Sequence, residues 1–248
     1  MSRLPIFQLS PDPNAPFPPV QRALREPDGL LAAGGDLSTI RLLNAYRHGI
    51  FPWFAQGQPI LWWSPDPRMV FDTARFKLPS RFRRQLQKSA WILRADTAFG
   101  KVITACSSTP RRGQSGTWIT PDMVAAYVEL HRLGHAHSIE VFAGELLVGG
   151  IYGVAIGQMF FGESMFSTES GGSKVALAGL ARLLGRWNWP LIDAQVENQH
   201  LLSLGARRLP REHFMEQVEV LTALDGRPGP WAGHVDDWPV SCFAKSLD

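Results

Sequence analysis

The feature that most constrains this chain is a nearly unbroken run of strand-forming residues from His137 to Ser167, cut only where a glycine permits a tight reversal. HSIEVF (His137–Phe142) and ELLVGGIYGVAI (Glu145–Ile156) meet at Ala143-Gly144, and GQMFFGESMFS (Gly157–Ser167) follows the Ile156-Gly157 turn. Runs of this kind bounded by glycine turns predict a strand meander. A glycine turn then opens a helix at GGSKVALAGL, which leads to a further strand, LIDAQ (Leu191–Gln195). Alternate residues of a strand share a face. Asp193 and Gln195 are therefore expected to project together, as are Phe161 and Glu163, near the strand ends where an open sheet usually keeps its ligand.

The remaining segments are shorter. Residues 1–29 carry seven prolines, from Pro5 to Pro27, and predict mostly irregular chain. A helix follows Ser38, with Ile40, Leu42, Leu43 and Tyr46 as its apolar stripe and Gly49 as its stop. The prolines of QGQPILWWSPDPRMVF predict turns around one short strand near Ile60–Trp63. Further helices are expected after Pro79, over Thr97–Ala105, after Thr120-Pro121-Asp122, as a short turn at Gln199–Leu204, and after Pro210. The tail from Gly226 is rich in Pro, Gly and Trp and reads as irregular. Residues 1–62 form a small lobe in this reading and residues 63–248 the main domain.

At 248 residues with 45% hydrophobic and 19% charged residues, the composition is that of an ordinary globular core. The net charge of +3 permits nucleic acid without requiring it. Cys106 and Cys242 lack metal spacing, no secretory signal precedes the fold, and no apolar run approaches ~20 residues, which together predict a cytoplasmic protein.

His131, His135 and His137 suggest a metal at first sight, but Gly134 interrupts the helical spacing and no H-E-x-x-H accompanies them; no metal is expected. GESMF is not a G-x-S-x-G elbow, so a covalent serine intermediate is not expected. The turn Gly171-Gly172-Ser173-Lys174 could cradle an anion at the helix start or simply begin the helix. LPSRFRRQLQKSA places Arg81, Arg84 and Lys88 away from Phe82 and Leu86, as either a solvated face or a contact for a phosphate backbone. Glu163, Asp193 and Gln195 are the strongest signal, because each lies in an apolar strand where an uncompensated polar group is costly. Two carboxylates and an amide on one face suit a site that orients an amine.

LLAAGGDLS, RLLNAYRHGIFPWF, ILWWSPDPR, GTWIT, AYVELHRLGHAHSIEVF, GGIYGVAIGQMFFGESMFS and LIDAQ…SLGA, in this order over roughly residues 20–215, together resemble leucyl/phenylalanyl-tRNA–protein transferases. The resemblance implies an α/β (α+β) fold: a small N-terminal domain plus an acetyltransferase-like (GNAT-like) domain with a central, mostly antiparallel sheet. It implies transfer of Leu, Phe or Met from aminoacyl-tRNA to proteins beginning with Arg or Lys, marking them for degradation by the N-end rule. Trp53 and Trp118 match the tryptophans lining the aminoacyl-adenosine site, and Glu163, Asp193 and Gln195 match the catalytic positions. Ile151, Met165, Leu180 and Leu184 would form the pocket for the donor side chain, and Arg81, Arg84 and Lys88 would meet the tRNA body.

Three departures from the family pattern stand out: Ala194 where Cys is common, Phe142 where Trp is common, and leucines at 180 and 184 where a Phe occurs. The donor is an activated ester, so no cofactor is required, and a monomer is expected. Gln195 would accept a hydrogen bond from the attacking amine, Asp193 would receive its proton, and Glu163 would hold either the ribose or the acceptor cation. Two rivals remain: an acyl-CoA-dependent N-acetyltransferase and a non-catalytic RNA-binding module.

Overall fold

The structure is a computed structural model that describes residues 6–109 and 117–244. Pro5, Gly116 of the GTWIT motif and the last four residues of the tail lie outside these. The N-terminal part forms a sheet of its own, built from β1 (Phe7–Leu9), β2 (Leu30–Gly34), β3 (Phe51–Pro52) and β4 (Leu61–Trp63) in the order β1-β2-β4-β3. Helix α1 (Thr39–Arg47) starts where Ser38 Oγ accepts the Arg41 amide at 3.4 Å, satisfying one of the donors that a helix start leaves open.

The main sheet begins at Arg68, five residues after the small sheet closes. It contains β5 (Arg68–Asp72), β6 (Ile92–Ala95), β7 (Ala136–Ala143), β8 (Leu146–Ile156), β9 (Met159–Ser167), β10 (Leu191–Gln195), β11 (Arg207–Leu209) and β12 (Trp238–Pro239), ordered β11-β5-β10-β9-β8-β7-β6-β12. The expected meander is β7-β8-β9. Every pairing is antiparallel except β9 with β10, which the intervening helix makes parallel. Helices α2 (Ser80–Leu86), α3 (Phe99–Ser108), α4 (Pro121–Arg132), α5 (Gly172–Arg186), α6 (Gln199–Ser203) and α7 (Arg211–Ala223) pack around it.

Helix α5 lies on one face, burying Leu177, Leu180 and Leu184 with Leu93, Ile139 and Ile151. It approaches β8 closely, because a Cβ on Gly149 would stand 2.4 Å from the Gly172 carbonyl carbon. The opposite face packs α3, α4, α7 and the N-terminal part into one continuous core, from Leu42 and Tyr46 to Tyr127, Phe161 and Phe214. A mixed α/β fold with a separate N-terminal domain and a mostly antiparallel sheet is thus what the chain adopts.

The C-terminal tail wraps back over the sheet. Trp231 stacks on His137 with ring centroids 3.8 Å apart and donates its amide to Asp96 at 2.7 Å. Asp96 also lies 2.8 Å from His137 Nδ1, and His131 stacks on Phe99. These two histidines therefore pack and pair within the fold.

Candidate active site

Two irregularities in neighbouring strands build the site. In β9 the register with β8 slips between Gly162 and Ser164, so Glu163 is an extra, bulged residue. In β10 the register with β5 slips at Ala194, and Gln195 takes a left-handed backbone (φ 59°). Asp193 stands opposite Phe161 in the parallel pair. Simple alternation therefore does not aim Asp193 and Gln195; the bulge does. Asp193 Oδ1 holds it in place by accepting the Gln195 amide at 2.8 Å.

Asp193 and Arg68 form a fully buried pair, with Arg68 Nε 2.8 Å from Oδ1 and Nη2 2.7 Å from Oδ2. The remaining Arg68 nitrogen, Nη1, donates to the Gly49 carbonyl at 3.1 Å, and the guanidinium lies 4.7 Å from the ring centres of both Phe51 and Phe214. A bidentate, aromatic-flanked geometry of this kind is what offsets the desolvation of two buried charges. It also leaves both Asp193 oxygens engaged.

Glu163 is the second buried carboxylate. Its Oε1 accepts from Gln195 Nε2 and from Tyr46 Oη, each at 2.7 Å, and its Oε2 accepts from Tyr127 Oη at 3.0 Å. The two tyrosine hydroxyls are also hydrogen-bonded to each other. Burial pushes the Glu163 carboxyl up to about 7, against the three hydrogen bonds that favour its ionised form. The same burial, reinforced by the Glu163 charge, holds both phenols well above their ordinary value. Gln195 turns its amide nitrogen toward Glu163 Oε1, the arrangement that suits the ionised form of the carboxyl.

Beside this network opens a cavity of about 1050 Å³. Trp53 and Trp118 line it together with Glu163, Asp193 and Gln195, and Ile151 and Met165 supply an apolar wall with Leu177 and Ile192. Trp53 is anchored through its carbonyl, which accepts Trp63 Nε1 at 2.7 Å. Leu180 and Leu184 do not reach the cavity. They lie deeper along α5, fully buried against the sheet, and Leu177, nearer the helix start, takes the lining position. Arg81 and Arg84 are exposed on α2, and Lys88 is exposed just beyond its end.

The GGSK turn is not an open anion cradle at its first amides. Ser167 Oγ accepts the Ser173 amide at 2.8 Å, and the Gly172 amide donates to the Glu169 carbonyl at 3.0 Å.

A family model described as "Leucyl/phenylalanyl-tRNA protein transferase" matches residues 70–219, and one for the N-terminal domain of the same family matches residues 35–66. The chain belongs to the leucyl/phenylalanyl-tRNA protein transferase family. Curated relatives named leucyl/phenylalanyl-tRNA–protein transferase include one from Xanthomonas axonopodis pv. citri (strain 306), 65% identical over 99% of both chains. Another, from Xanthomonas campestris pv. campestris (strain B100), is 68% identical over 93% of both. A third, from Xylella fastidiosa (strain 9a5c), is 62% identical over 92% of this chain and 94% of its own.

Membership makes this chain a transferase and gives no support to the acyl-CoA or non-catalytic readings. It also separates what the sequence pattern offered from what it concealed. Arg68 escaped because PDPRMVF reads as turn; yet a lone arginine ahead of an apolar run carries the same warning as Asp193. Tyr46 and Tyr127 escaped because an aromatic ring on the inner stripe of a helix is usually mere packing.

Proposed function

We propose that this transferase moves Leu, Phe or Met from aminoacyl-tRNA to the α-amine of proteins beginning with Arg or Lys, marking them for N-end rule degradation. The observation that carries the reading is that Gln195, its Nε2 held by Glu163, lines one cavity with two tryptophans and an apolar patch. In this reading the terminal adenosine stacks against Trp53 and Trp118. The donor side chain lies on Ile151, Met165, Leu177 and Ile192, where a charged side chain would be buried without a partner. Residues 1–62 form the domain that brings Trp53 to the site, and residues 63–248 form the catalytic domain. Arg81, Arg84 and Lys88 meet the tRNA body.

Aminolysis of an ester needs an aligned, neutral amine. An α-amine has a pKa of about 8, so deprotonation near neutrality is easy, and alignment is the larger task. Gln195 Oε1 accepts one N–H of the amine and points its lone pair at the ester carbonyl. The new C–N bond forms, the C–O bond to the ribose breaks, and the proton lost by nitrogen passes to Glu163 and from it to the departing oxygen. Glu163 suits this exchange because a group poised near 7 can take and return a proton. Asp193, with both oxygens on Arg68, holds the Gln195 bulge in position instead of receiving the proton.

The enzyme acts as a cytoplasmic monomer without a cofactor in this proposal. No helix among the described residues is long and apolar enough to cross a membrane. Labelled Leu-tRNA incubated with a protein beginning with Arg should transfer its label to that protein, and no transfer to Arg- or Lys-initiated acceptors would refute the reading.

A further inference from the structure

Between the basic helix and the cavity lies a cation that neither site uses. The Lys174 side chain in the first turn of α5 is half-buried, with its Nζ 5.6 Å from the centre of the Phe82 ring. Phe82 belongs to α2, the helix that also carries the exposed Arg81 and Arg84, one turn apart from each other. Its ring in turn covers Gly171, whose left-handed backbone (φ +96°) leaves no room for a side chain, since a Cβ there would meet the ring at 2.5 Å. The two helices are thus locked together at this point, and Lys174 is fixed at their junction.

One turn along the same face of α5, Leu177 lines the cavity. The Lys174 charge also reaches His200, whose imidazole pKa is lowered by burial and, after it, by that charge. His200 lies on the cavity lining, near Gln195 in the chain. Lys174 therefore lies between α2, which it meets at Phe82, and the cavity, which Leu177 and His200 line. Among the described residues the carboxylate ion pairs of Lys and Arg side chains involve other cations: Arg41, Arg68, Arg94, Arg132, Arg207 and Arg208. Glu169 is the nearest acid in the chain, and among the described residues it forms no such pair. With the Gly172 and Ser173 amides already engaged, an anion here would be met by the Lys174 side chain.

We propose that Lys174 binds a backbone phosphate in the single-stranded 3′ end of the donor RNA, guiding it from the basic helix into the cavity. The inference rests on the transferase reading above and adds a phosphodiester site to it. A phosphate contact has three marks that a packing role lacks: it depends on salt, it requires charge, and it vanishes when the donor has no phosphate.

Lys174→Met keeps the aliphatic stem on Phe82 and removes the charge. Losing a hydrogen bond to a charged group should raise KM for aminoacyl-tRNA about tenfold, with kcat little changed. The slope of log kcat/KM against log salt should become shallower by about 0.7, the share of one single-strand phosphate. Lys174→Arg should restore both. With aminoacyl-adenosine as donor, which has no phosphate, wild type and Lys174→Met should turn over alike. Equal losses on both donors would show that Lys174 only shapes the cavity, and an unchanged salt slope on tRNA would remove the contact. Inert wild type on both donors would instead overturn the transferase reading, and this contact with it.

Discussion

Replacing Glu163 by Gln tests the centre of the site, because the two side chains have the same shape and differ in one ionisation. The Glu163 carboxyl is pushed from 4.5 up to about 7 by burial. Below pH 4.5 the carboxyl is protonated in folded and unfolded chains alike, and it contributes no pH dependence. Between 4.5 and 7 the unfolded chain releases the proton while the folded one keeps it, so folding stability falls as pH rises. Each pH unit in that window carries about 1.4 kcal/mol, giving a total of ~3 kcal/mol by pH 8. Gln cannot titrate. Whatever Glu163→Gln costs at pH 4 through altered hydrogen bonds to Tyr46, Tyr127 and Gln195, the variant should gain ~3 kcal/mol on wild type by pH 8. Urea melts of both proteins at several pH values measure this. The comparison cancels Glu140, another buried carboxyl that burial raises to about 7. A stability difference that stays flat from pH 4 to 8 would refute the account of Glu163 as a desolvated, near-neutral acid. Turnover gives a second reading: wild-type kcat should rise through pH 7, and the variant should be slow at every pH.

Arg68→Met strands a buried carboxylate and should cost about 3–5 kcal/mol in denaturant titrations; adding Asp193→Asn should recover part of that, and strictly additive losses would show that the pair is not coupled. Trp118→Ala should weaken binding of aminoacyl-adenosine by about 1–3 kcal/mol, the worth of a stacked base, and unchanged binding would make the ring a packing group. Neutralising Arg81, Arg84 and Lys88 together should flatten the salt dependence of tRNA binding, and an unaltered slope would return α2 to the role of a solvated face.

Much of the fold was legible where hydrophobic pattern and turn chemistry agree. The strands around Gly144 and Gly157 and the capped starts of α1 and α4 fall where their residues predict. The failures share one cause, which is that distant partners override local signals. β5 forms straight after Pro65 and Pro67 because β10 and β11 pair with it from either side. Glu163, Asp193 and Gln195 do converge, but through two bulges that a period of two cannot foresee. Asp193 could be singled out as a costly buried charge, whereas its ion partner lay 125 positions away in a segment resembling a turn. Leu180 and Leu184 carry the spacing of an inner helical face, and periodicity alone cannot say which turn of that face opens onto a cavity.

Tyr46 and Tyr127 give the network one further property. One hydroxyl comes from the N-terminal domain and the other from the helix before the central strands, and they grip the same carboxylate from both sides. The buried acid of the main sheet is therefore tuned by a neighbour folded from a different part of the chain. Hybrids that trade N-terminal domains between relatives would inherit working chemistry only from donors with a phenol at the position of Tyr46; a phenylalanine there would remove a hydrogen bond that favours the ionised form, and the proton would be held more tightly.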